Sequence, residues 1–254
     1  DRIESRGLGD VYKRQLKGKR LGLYGPGRRP NKLSPEAAEL YERAKSELDA
    51  AGAILVEDPF AGTDFASYRQ VTPGTPFFDG RGLESIAYDM TCYLKRLGES
   101  AAVKTWDEFA EATHIEEVTG KGTILGYLHE LPDFVEAIKS PGTPPAMPQF
   151  VELKRRYLDI LKEVFDRHSL DGLVYPQMIE ELPELHSGDA IRETTVGELN
   201  IAGLPAVTVP AGYYSSGAPF ELIFLGQKWS EPELIQQAYA YEQSTLHRKA
   251  ADLS

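Results

Sequence analysis

Few residues of this chain could do chemistry, and most of them stand without the neighbours that chemistry needs. Ser215-Ser216-Gly217 is the only tandem serine. A serine hydroxyl becomes a nucleophile beside a base and with donors for the oxyanion. No lysine or glycine-rich loop frames this pair, and its place between two apolar runs predicts a turn with Gly217 at positive φ. Histidines 114, 129, 168, 186 and 247 are scattered, with no H-E-x-x-H and no Cys/His cluster, so no zinc centre is expected. His168 and His247 stand among charges at helix ends. His186 lies in Leu185-His186-Ser187-Gly188-Asp189, the kind of polar loop in which α/β proteins gather ligand contacts, but a triad with Ser187 and Asp189 is too cramped.

Gly22-Leu23-Tyr24-Gly25-Pro26-Gly27, with Arg28 and Arg29 behind it, lacks the G-K-[ST] ending of a phosphate loop and reads as a turn. Gly120-Lys121-Gly122-Thr123 fails the same test, because a glycine separates the lysine from the hydroxyl. The strongest segment is Tyr175-Pro176-Gln177-Met178, at the end of an apolar run. Gln177 offers both a donor and an acceptor, and Met178 an adaptable apolar wall. The competing reading is an ordinary strand-to-loop transition.

The elements that must position these residues alternate. Lys19–Tyr24 reads as a strand; Ser34 before Pro35 signals a helix start; Leu40, Tyr41, Ala44 and Leu48 keep helical spacing until Gly52, and Ala53–Val56 follows as a buried strand. This order predicts a βαβ unit with parallel strands. Residues 58–82 form a long ordered loop carrying Phe60, Phe65, Tyr68, Phe77 and Phe78. Helices are expected around 83–97, 106–112 and 150–165, with 120–131 ambiguous and 140–148 a loop. Leu170–Tyr175 reads as a strand, 194–201 as a short helix, and Ser230-x-x-Glu233 as a capping box opening the last helix. The expected fold class is α/β, a mixed and largely parallel central sheet with helices on both faces and an antiparallel hairpin near residue 216.

A chain of 254 residues with net charge −11 and 41% hydrophobic content can bury a substantial core. Its acidity argues against nucleic acid or an anionic membrane as partner, and its apolar stretches are strand-sized. Cys92, the single cysteine, reads as a small core residue.

The last fifty residues carry three ordered motifs: Asn200, Gly203, Pro205 and Ala206; then Pro219, Leu222, Phe224 and Gly226; then Ser230, Glu231, Leu234 and Ile235, with Ala238 and Glu242 following. These resemble N-x-x-G-x-P-A, P-x-x-L-x-F-x-G and S-E-x-x-L-[IL] followed by A-x-x-x-E, the end of an amidase-signature enzyme. Asp171, Leu173, Val174 and Pro176 match that family's D-x-[LI]-[LV]-x-P, and Leu16–Leu23 resembles the strand that opens its second half. The resemblance implies a partial amidase-signature fold over 16–254 and a substrate pocket lined by the segment after Pro176. Tyr175, Gln177 and Met178 are the candidate substrate-binding residues, while Asn200 reads as a tie for loop backbone.

The family's serine in G-[TS]-D-x-G-G-S, its second serine in G-G-S-S-G and its upstream lysine have no counterpart in the sequence, so no catalytic residue is assigned. Asp10-Val11-Tyr12-Lys13-Arg14-Gln15 is the translation of the end of a transposon adaptor used in sequencing libraries, so residues 1–15 read as a non-native leader. The expected function is that of the C-terminal fragment of an amide hydrolase with Ser-cis-Ser-Lys chemistry upstream. The alternatives are the glutamine-using component of an amidotransferase for misacylated tRNA, or a binding domain if the chain is complete. The resemblance implies no cofactor and no metal. The expected partners are a small-molecule amide and a second copy of the chain in a homodimer, without nucleic acid or membrane, in the cytoplasm.

Overall fold

Ser34 does what its type promises: its hydroxyl accepts from Ala37 N at 3.3 Å and, with Pro35 next, starts helix α1 (Pro35–Ala50). Strands β1 (Arg20–Leu23) and β2 (Ile54–Val56) flank that helix and pair in parallel, giving the expected βαβ unit. The computed structural model describes residues 16–69, 85–114, 132–184, 187, 191 and 194–250. The readings at 1–15, at Phe77, Phe78 and Leu83, at 120–131 with His129, and at His186 and Asp189 fall outside the described residues.

After β2 come a short 3-10 turn (Phe65–Arg69) and helices α2 (Ile86–Arg96), α3 (Trp106–Ala112), α4 (Pro132–Ala137) and α5 (Pro148–His168). Strand β3 (Gly172–Pro176), helix α6 (Gly197–Ala202), the strands β4 (Ala206–Tyr213) and β5 (Pro219–Leu225), and helix α7 (Glu231–Thr245) complete the chain. The sheet order is β2-β1-β3-β5-β4, parallel from β2 to β3 and antiparallel from β3 to β4, so the sheet is mixed as expected.

The contacts divide the chain into two compact units, residues 1–72 with 155–254, and residues 73–154. In the first, strand alternation turns Leu21, Leu23, Val174, Leu222 and Phe224 onto one core shared with Leu40, Tyr41 and Leu48 of α1 and Leu234, Ala238 and Tyr241 of α7. The Tyr41 hydroxyl stitches that core: it accepts from Tyr24 N at 2.9 Å and donates to Val174 O at 2.8 Å. Every residue of β3 is buried, as a central strand requires. The described part of the aromatic loop, residues 58–69, is held by ring contacts, Phe60 on Phe65 at 4.6 Å and Phe65 on Tyr157 at 4.9 Å. In the second unit, α2 packs against α3 and α4. Thr105 caps α3 by accepting from Glu108 N at 3.2 Å.

Three local expectations fail: β2, read as a buried strand, is an edge strand with Ile54 45% exposed; Cys92, read as a core residue, is only partly buried; and the capping box at Ser230 does not form. Ser230 does not cap α7 with its side chain; its hydroxyl donates to Gln227 O at 2.7 Å instead, an acceptor left available by the preceding turn.

Candidate functional site

Strand β3 delivers Tyr175, Gln177 and Met178 to one place and then separates them. Pairing with β5 persists one residue past Pro176, where Gln177 N donates to Glu221 O at 3.1 Å. Met178 then bridges Thr194, and Thr195 locks the turn, its N–H reaching Gln177 O at 2.9 Å and its hydroxyl reaching Pro176 O at 2.6 Å. The segment therefore leaves the sheet with its backbone already bonded, a rigid support for the side chains it carries.

Gln177 and Met178 line a pocket of about 280 Å³ between this segment and the β4–β5 hairpin; Glu180, Tyr214, Phe220 and Glu221 supply other walls. Gln177 Oε1 is buried and has no hydrogen-bond partner among the described residues. Burial pushes the Tyr214 hydroxyl up to about 12, reinforced by the carboxylates of Glu181, Glu36 and Glu180. Half-burial raises the Glu221 carboxyl above its ordinary range.

Tyr175 is not part of the lining. It is 1% exposed, and the Arg28 guanidinium lies 3.8 Å from its ring centre. Burial, the largest cause, raises its phenol pKa against the opposing pull of Arg28. Arg28 and Arg29 are themselves buried: Arg28 donates to Thr195 O at 2.9 Å, and Arg29 to Glu198 Oε2 at 2.9 Å, with Arg28 3.5 Å from the same oxygen. This charged cluster underlies the loop that carries Gln177.

The remaining candidates resolve structurally. In the Gly25-Pro26-Gly27 turn the Asp58 carboxylate already accepts from Gly27 N at 3.0 Å, filling with a negative group the place a phosphate would need. Ser215 and Ser216 form the expected turn, with Gly217 at φ +95°; Ser215 N bonds Glu36, and Ser216 bonds Glu181. His247 pairs with Glu47 at 2.8 Å. Asn200 is exposed, and its carbonyl rather than its side chain receives Gly203 N at 3.2 Å. Gly203 adopts the left-handed conformation that ends α6, at φ +69°, and this explains the glycine of the N-x-x-G motif. Gly226 is fixed by space instead, since a Cβ there would lie 2.1 Å from Ser230 Oγ.

The pocket walls at Glu180, Tyr214, Phe220 and Glu221 went unassigned in the sequence, although Glu221 between Phe220 and Leu222 in a strand was a signal for a face of its own.

No protein-family model matches the chain. A probable amidase of Arabidopsis thaliana is 47% identical over 242 residues, covering 92% of the chain and 40% of that relative. A glutamyl-tRNA(Gln) amidotransferase subunit of Ruegeria sp. is 25% identical, covering 90% of the chain and 46% of the relative. Among solved structures, a peptide amidase in complex with chymostatin superposes with TM-score 0.63 at 25% identity, over 93% of the chain and 45% of that structure. A bacterial aryl acylamidase of the amidase-signature enzymes shares the fold, with TM-score 0.54 at 16% identity over 93% of the chain. The chain is similar in sequence to a probable amidase and in fold to solved amidases. It spans somewhat under half the length of these amidase-signature relatives.

Proposed function

We propose that residues 16–254 form the C-terminal part of an amide hydrolase whose pocket beside Gln177 and Met178 holds part of the substrate. The observation that carries the reading is the 47% identity to a probable amidase across 92% of the chain. In this reading the upstream portion supplies a serine that is acylated while ammonia or an amine leaves, and water then releases the acid. Gln177 and Met178 both line the pocket, the Gln177 amide able to offer a donor and an acceptor to a substrate amide and Met178 to pack beside the group that carries it. Tyr175 supports the site from below through Arg28 and does not touch substrate.

The amidotransferase reading draws on the 25% identity to the Ruegeria protein. It requires a partner protein and ATP.

The decisive experiment expresses the complete open reading frame and measures ammonia release from a panel of carboxamides, with ammonia transfer to glutamyl-tRNA as the competing assay. Met178→Ala in that enzyme is expected to change acyl-group selectivity by about 1–3 kcal/mol, the scale of small changes in an apolar pocket, without moving the pH profile. Unchanged selectivity would remove Met178 from the site. Ammonia transfer without free hydrolysis would replace the hydrolase by the amidotransferase.

A further inference from the structure

Helix α7 ends at Leu246, whose left-handed backbone, φ +54°, turns the next residues toward α1 and the end of β4. Little holds them there. Leu246, Arg248, Lys249 and Ala250 are exposed, and among the described residues two polar contacts tie the segment down. His247 Nε2 lies 2.8 Å from Glu47 Oε1 on α1, and Lys249 N donates to the Tyr213 hydroxyl of β4 at 2.9 Å, with the Lys249 ammonium 4.7 Å from the centre of the Tyr213 ring. Glu47 has a second duty. Its other oxygen accepts from the Tyr241 hydroxyl of α7 at 2.6 Å, while Arg43, one turn earlier on α1, donates to Ala211 O of β4 at 2.9 Å. Lifting residues 247–250 leaves both of those joints closed.

The strength of the bond to Glu47 is set by a proton. An imidazolium makes it an ion pair as well as a hydrogen bond, and charge-assisted bonds are roughly twice as strong as neutral ones. A neutral imidazole keeps it only in the tautomer that carries its hydrogen on Nε2. The charged and titratable groups around His247 are Glu47 and Arg43 from α1, Tyr241 from α7 with its ring centre 6.4 Å away, Tyr213 from β4 under Lys249, and Arg248 and Lys249 beside it in sequence. Arg43 opposes the imidazolium, its Nε being 3.8 Å from the same Glu47 oxygen. That side chain is half exposed and therefore screened by solvent, whereas His247 and Glu47 are largely buried against each other.

We propose that residues 247–250 form a strap, fastened across α1 and the end of β4 by a proton on His247 and loosened by its loss. Imidazole changes charge between about pH 5 and 8, so the strap closes on the acid side of that range and opens on the alkaline side. Release bares the Tyr213 ring and one Glu47 oxygen while α1, α7 and β4 stay joined.

The test is solvent exchange of the Lys249 amide, read by NMR on the 254-residue chain at about pH 5.5 and about pH 8 and divided at each pH by the rate for an unstructured chain. Protection is expected to be at least about threefold greater at the lower pH. His247→Gln, which keeps a donor but carries no charge, is expected to show equal protection at the two pH values, and Glu47→Gln to do the same. Because His247 lies outside the core, the first variant stays readable if the second fails to fold. Gly226 N, which donates to Pro205 O at the far end of β4 and β5, is the reference. Equal protection of Lys249 at both pH values, a pH dependence that survives in either variant, or a matching change at Gly226 would each overturn the proposal.

Discussion

Glu198 shows how a single side chain can be structural and still decide the site. It is 1% exposed and shared by Arg28 and Arg29, and Thr195, three residues before it, holds the turn under Gln177. Removing one member of a buried charged group strands the others in a medium that solvates them poorly. Glu198→Ala is therefore expected to destabilise the chain by about 3–5 kcal/mol, as read from denaturant midpoints. A loss under about 1 kcal/mol would mean the guanidinium groups find water or other acceptors. Tyr214 makes a prediction with a definite sign. Its folded pKa is raised to about 12 from 10.0, so the stability it contributes is complete below pH 10 and is lost as pH rises through about 12. Tyr214→Phe should flatten the alkaline limb of a stability-against-pH curve. An unchanged limb would show that other tyrosines dominate it.

At the scale of elements, α6 is a short helix whose position depends on where it stops. Gly203 ends it in the left-handed region and returns its N–H to Leu199 O at 2.8 Å, after which Pro205 and Ala206 lead into β4. A side chain at that φ costs about 1–2 kcal/mol. Gly203→Ala should lower stability by that amount, as read from denaturant midpoints. An unchanged midpoint would show that another residue tolerates this conformation without cost.

The elements also show what the sequence could tell. The N-cap at Ser34, the βαβ unit and the Trp106–Ala112 helix were legible because each rests on residues close in sequence. The cap at Ser230 was misread because two acceptor–donor arrangements compete there, and the preceding turn wins. Arg28 and Arg29 read only as the residues behind a glycine turn; Glu198, 169 residues beyond Arg29, explains their burial. The pocket was half legible. Gln177 and Met178 follow a recognisable strand, but Tyr214, Phe220 and Glu221 join them through the register of β3 on β5, which local spacing does not encode.

For the molecule as a whole, the proposed function puts chemistry and recognition on different stretches of chain. The sequence holds no counterpart of the family's serine, cis-serine and lysine motifs, while the described residues hold a formed pocket. The 254-residue chain is therefore expected to turn over no aliphatic or aryl amide above background in an ammonia-release assay. Turnover blocked by a serine-directed phosphonate would require a nucleophile within this chain.

The first compact unit is assembled from two separated stretches, with residues 73–154 folded between them. During synthesis β1 and β2 leave the ribosome before β3, so β1 has no second neighbour until β3 arrives. At about 5–20 residues per second, the roughly 150 residues in between take on the order of ten seconds. Once β2 has emerged, the parallel pair waits for β3 with the other edge of β1 unpaired. The order of the chain thus sets a time during which that edge is open to pairing with another chain, a time that lengthens as translation slows.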